Sequence, residues 1–246
     1  MLKAASSRRH CLQALLALSA APLARAATPA ETIRAAAQAI VTDVLARCGP
    51  GVKTGSGTPV VAVRAEPFLI GVNLDVPVPE LVVPPAWTDL PPPLQQVFSD
   101  WVARVGGPVP AATFFDDTFH WALVAHEMAH FLIERNVPKA RRWNFYGEEA
   151  QANRFMVAFW QAQPVMRERL ARCGAVWVAL RDQLPSPVPP GADAQQHFER
   201  NYQALSEDPN AYGWYQFKWM ADAWVARESL GFSTVLAETL AGQPRG

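Results

Sequence analysis

Cysteine is scarce in this 246-residue chain: Cys11, Cys48 and Cys173 are all it has. None has a C-x-x-C partner, which argues against a thiolate zinc site. Long apolar runs are absent beyond the first 26 residues, and nothing there approaches the ~20 residues that a membrane-spanning helix needs. Lys and Arg form no run or patch of the kind that nucleic acid binding requires. No internal repeat is present, so the chain does not read as an array of stacked units.

The first 26 residues carry what the rest lacks. Lys3, Arg8 and Arg9 make a basic start, Leu12 to Leu23 an apolar stretch, and Ala24-Arg25-Ala26 a small-x-small cleavage pattern. Together they read as an export signal. Ser7-Arg8-Arg9-His10-Cys11-Leu12-Gln13 also resembles a twin-arginine signal with Cys11 in place of the usual Phe, and the Sec and twin-arginine routes both stay open. Either route predicts an exported protein, periplasmic or secreted, with no transmembrane segment in residues 27–246. Loss of four basic side chains and no acidic one turns a formally neutral chain into one of net charge about −4. The remaining length is ample for one domain with a sizeable core. Cys48 and Cys173 then survive as an even pair, either one disulfide in an oxidising compartment or two buried thiols.

Along that domain, Thr28-Pro29-Ala30-Glu31 is a capping box opening a helix to about Arg47. Residues 59–66 and 68–74 read as strands. Residues 76–93 hold seven prolines and read as an extended loop. Helices are expected over 94–105, from about Thr118 to Asn136 with Asp116 or Asp117 as cap, and over 148–163. Further helices follow over 164–184, 193–206, 209–229 and 233–241. The expected class is mainly α (α+β), with a small β-sheet and a helical C-terminal half.

His126-Glu127-Met128-Ala129-His130 is the most informative stretch, an H-E-x-x-H motif within an amphipathic helix. Residues i and i+4 of a helix lie one above the other, about 5–6 Å apart at Cβ, so two imidazoles can close on one metal ion, and Zn²⁺ suits them. Glu127 sits about 100° round the helix, beside the ion, where a carboxylate can take a proton from activated water. His120 lies on another face and reads as structural, and Glu134 continues the histidine row but would reach past the ion. Ile133 and Asn136 stand where a metzincin needs Gly and His, and no second E-x-x-H supports a di-iron bundle.

The next acidic cluster is Gly147-Glu148-Glu149-Ala150-Gln151-Ala152-Asn153. With the first motif it resembles the gluzincin type of zinc metallopeptidase, especially small bacterial putative metallopeptidases whose second motif reads E-x-x-A-D. The likeness covers about residues 115–160. It implies a single zincin-like domain over 27–246 and one Zn²⁺ held by His126, His130 and Glu149, with the register leaving Glu148 as the alternative ligand. Asn153 stands where the family has Asp, a residue that accepts a hydrogen bond from a zinc-bound His; Asn can still accept it but brings no charge. Tyr212, Tyr215 and His197 are candidate oxyanion stabilisers, with Tyr146 and Tyr202 also available, although Tyr212, Tyr215 and Trp219 equally form a packing stripe. The expected function is an exported zinc metallopeptidase acting on peptide or protein substrates, with Glu127 as general base. A non-catalytic binding protein on the same scaffold and a zinc hydrolase of non-peptide substrates are the other two readings.

Overall fold

Thr28 accepts from the Glu31 amide at 3.2 Å while Glu31 reaches back to the Thr28 amide at 2.7 Å, closing the expected capping box. This opens α1 (Pro29–Cys48), the first element of a computed structural model that describes residues 27–64 and 69–243. The export signal of residues 1–26 lies outside the described residues, as does part of the junction between the two expected strands.

The chain is mainly helical with one three-stranded sheet. β1 (Val60–Val63) and β2 (Gly71–Asn73) fall inside the two stretches read as strands. The stretch expected to be an extended loop contains β3 (Glu80–Val83), the central strand, parallel to β1 and antiparallel to β2. The prolines mislead there because they stand at 77, 79, 84 and 85, bounding the ladder instead of interrupting it. Between them Leu81, Val82 and Val83 are fully buried.

α2 (Pro92–Arg104) follows, then α3 (Ala111–Phe115), which starts directly after Pro110. The helix carrying the motif therefore begins upstream of Asp116 and Asp117, and neither is its cap. The helical path runs through a wider, π-type segment over Asp116–Ala122 into α4 (Leu123–Asn136). Asp117 instead pairs with Arg169 at 2.6 Å, and Asp116 receives His120 Nδ1 at 2.9 Å. Nine residues of α4 between Val124 and Ile133 are buried, so this helix runs through the middle of the core. α1, α5 (Phe145–Gln161), α9 (Phe232–Ala241), β2 and β3 pack around it.

α5 opens one turn before the expected start because Asn144 caps it, accepting from the Gly147 amide at 2.9 Å. α6 (Arg167–Gln183), α7 (Ala194–Ser206, capped by Asp193) and α8 (Pro209–Val225, capped by Asp208) complete the molecule. α8 ends before the expected Ser229, which lies in a separate 3₁₀ turn. The core has two parts: a large one around α4, and a small aromatic one of Phe198, Leu205, Tyr215 and Trp219 between α7 and α8. Among the described residues no helix is long and apolar enough to cross a membrane. Cys48 and Cys173 are both free, so the disulfide reading does not hold in this structure. Burial lifts each thiol to about 12, which leaves them as weakly reactive apolar side chains.

Candidate metal centre

The two motif histidines come together through helix geometry alone. One turn apart on α4, they place His126 Nε2 and His130 Nε2 3.0 Å from each other. α5 packs across α4 and brings its second turn to the same point. Glu149 Oε2 lies 3.3 Å from His126 Nε2, and Glu149 Oε1 lies 3.7 Å from His130 Nε2. One ligand atom from each residue falls within 4.8 Å of the others, so His126, His130 and Glu149 could hold a metal ion. Glu148 does not join them. Its carboxylate takes the far nitrogen of His130, Nδ1, at 2.9 Å, which leaves Nε2 as that residue's metal-facing atom.

Asn153 is fully buried, yet its side-chain amide donates back to the Glu149 carbonyl at 2.9 Å and Oδ1 has no partner. Nδ1 of His126 also has none. The bond expected from a zinc-bound His to Asn153 is therefore not formed in this structure. The carboxylate beside a candidate ligand is supplied by Glu148, and the histidine it holds is His130.

Two residues of α8 clasp Glu149, the third candidate ligand. Tyr212 donates its hydroxyl to Glu149 Oε1 at 3.3 Å, and Gln216 Nε2 donates to Glu149 Oε2 at 2.8 Å and to the Tyr212 oxygen at 3.2 Å. Gln216 escapes a reading of the sequence because a lone Gln on an aromatic helix carries no motif. Its only signal is the i+4 spacing from Tyr212. Tyr215 and His197 are elsewhere, bonded to each other at 2.9 Å in the small aromatic core, with the Tyr215 hydroxyl also on the Ala194 carbonyl. The structure brings Tyr212 to the site and leaves those two out. His120 is structural as expected, held by Asp116 and by the Pro84 carbonyl at 3.0 Å, and Glu134 pairs with Arg142.

The electrostatics follow from burying three carboxylates and two imidazoles together. Burial lifts the Glu127 carboxyl above the ordinary range, the Glu149 charge adds to the rise, and the two histidines and a hydrogen bond from the Val72 amide of β2 offset it in part. Burial would depress His130, but the Glu148 hydrogen bond and the charges of Glu149, Glu127 and Glu148 raise it to about 9. Burial would raise Glu149, yet the hydrogen bond from His126, the two imidazole charges and Gln216 hold it at about 2. The Tyr212 hydroxyl is pushed well above its ordinary value by burial and by Glu149, so it keeps the proton that it donates to Glu149.

His126, Glu127, His130, Glu148 and Glu149 line one cavity of about 880 Å³, within the range of ligand-binding clefts. Ile70, Gly71 and Val72 of the edge strand β2 and its approach form one side, and Leu94, Val97, Phe98 and Trp101 of α2 another. Phe217 and Met220 of α8 complete the apolar wall, while Phe145 and Tyr202 stack at 5.0 Å near the rim. No protein-family model matches this chain, and comparison with curated proteins and with solved structures found no match to it.

Proposed function

We propose that this chain is a zinc-dependent hydrolase of peptide bonds with a zincin-like arrangement, acting outside the cytoplasm. The observation that carries the reading is the convergence of His126, His130 and Glu149 around one point, with buried Glu127 beside them in an 880 Å³ cavity. Two imidazoles and one carboxylate are the donor set of a catalytic zinc site that keeps a position open for water. When bound there, zinc supplies a Lewis acid that lowers the pKa of water to about 7 and polarises a carbonyl.

The chain's own residues do the rest. Glu127 has the raised proton affinity that suits a group taking a proton from water and handing it to the leaving amine. Glu148 fixes the tautomer of His130, and Gln216 with Tyr212 fixes both oxygens of Glu149. β2 lies at the sheet edge, paired among the described residues with β3 alone, so an extended peptide can add beside it along the cleft.

Metal analysis and turnover test the proposal together. Purified protein should carry one zinc per chain, and His126→Ala should lose it. Glu127→Gln should keep the zinc and lose chelator-sensitive cleavage of a mixed peptide library. Protein without zinc, or cleavage that survives Glu127→Gln, would refute it. Zinc bound without cleavage of any peptide would leave the scaffold as a binding protein or a hydrolase of other substrates.

A further inference from the structure

The lining of the cavity is of two kinds: the candidate metal centre, and an apolar chamber of α2 and α8 side chains that the proposed chemistry does not use. One wall of that chamber is the indole of Trp101, locked from several directions. Trp101 Nε1 donates to Asn210 Oδ1 at 2.8 Å, and its ring meets Phe98 and Phe217 edge-on at 5.3 and 5.1 Å. It also rests directly on the backbone of Gly213, where an added Cβ would come within 2.8 Å of the ring. A side chain so held is a preorganised wall, and preorganised apolar walls set specificity because they lose little entropy when they are covered.

The charge of the cleft is equally one-sided. Glu127, Glu148, Glu149 and Glu207 line it, and no Lys or Arg does among the described residues. Away from the candidate metal centre, a carboxylate entering this space would meet like charges and no Lys or Arg. A peptidase that removes C-terminal residues is served by a Lys or Arg beside the free carboxylate, and the lining of this cleft has neither among the described residues.

We propose that the cleft selects internal peptide bonds flanked by a large apolar side chain, rejecting acidic side chains and free C-terminal carboxylates. Trp101, seated on Gly213, sets that preference. This rests on the peptidase reading above. The chamber receives the apolar side chain while the adjacent carbonyl lies against Glu127 and the candidate metal ligands. Gly213 lines the same cavity, so a side chain there would displace the indole it crowds and take up room in the chamber.

The test uses zinc-loaded full-length protein and a set of peptides blocked at both ends, varied to Phe, Leu, Ala or Asp on either side of the central bond. A matching set has a free C-terminal carboxylate next to the variable residue. Phe and Leu peptides should be cleaved with kcat/KM at least about tenfold above Ala and about a hundredfold above Asp, and free carboxylates should be poor substrates. Gly213→Ala should shift the Phe-to-Ala ratio toward Ala, a ratio that a general loss of folded protein would not move. Trp101→Phe, the milder change, should also lower the Phe-to-Ala ratio, read as that ratio and not from either rate alone. The same peptides are also measured for binding to zinc-loaded Glu127→Gln, so the preference is read even where turnover is absent. Equal binding and cleavage across the set, or preference for Asp or for free carboxylates, overturns the inference. Absence of cleavage with the binding preference intact overturns only the peptidase reading.

Discussion

A carboxylate that does not touch the candidate ion point still controls the site. Glu148 holds His130 Nδ1 at 2.9 Å, and partners of that kind are commonly worth 10- to 100-fold in metal affinity. Glu148→Gln should therefore weaken zinc binding by roughly that factor, and Glu148→Ala by at least as much, measured by competition against a chromophoric chelator. Unchanged affinity in both would assign Glu148 to the surface alone. The same residues set a pH signature. His130 binds its proton more tightly when folded, about 9 against an ordinary 6.5, so its contribution to metal-free stability is complete below pH 6.5 and lost as pH rises toward 9. Glu149 is depressed to about 2 from 4.5, so its contribution is present above pH 4.5 and lost as pH falls toward 2. Metal-free protein should then be less stable at pH 9 than at pH 6. Zinc affinity should rise over the same interval, because His130 must release its proton to bind. Thermal melts with and without chelator across that range check both directions.

At the scale of elements, the site depends on how α4, α5 and α8 meet. α5 presents Glu148 and Glu149 in its first two turns, and the Asn144 cap holds that end together. Asn144→Ala should cost about 0.5–2 kcal/mol in urea unfolding, with faster amide exchange at Gly147 marking the fraying. α8 reaches Glu149 through Tyr212 and Gln216 while its far half packs on α6, where Gly174 faces the Trp224 ring with no room for a Cβ. Gly174→Ala should destabilise the fold by about 1–3 kcal/mol through overpacking. Its zinc affinity should stay at the wild-type value, because the crowding lies away from the ligands. A large loss of affinity in that variant would show that the α6–α8 contact positions Glu149.

For the molecule as a whole, the three candidate ligands sit on two helices at the centre of the core. An ion there would link α4 to α5 in the folded state and would meet no equivalent site in the unfolded chain. Zinc at a hundredfold excess over its Kd should therefore add about 2.7 kcal/mol to stability, seen as a raised Tm that chelator reverses. His126→Ala should lose that response. An equal rise in Tm for wild type and His126→Ala would place zinc somewhere other than this centre.

The sequence by itself determined the local chemistry. The spacing of His126 and His130 makes a pair of imidazoles on one helical face whatever surrounds it, and Glu127 follows from the same 3.6-residue period. The Thr28 capping box and the mainly helical class were legible for the same reason: each depends on residues close together in the chain. The central strand β3 was not legible, because its pairing with β1 and β2 joins segments far apart in the chain and its prolines look like loop until the ladder is seen between them. Nor could a degenerate acidic cluster separate Glu148 from Glu149. Adjacent helical residues point about 100° apart, and only the packing of α5 on α4 decides which carboxylate meets the Nε2 pair and which is turned to Nδ1. Gln216, the Val72 amide and the seating of Trp101 on Gly213 belong wholly to tertiary structure, since each is a contact between elements that no local pattern encodes.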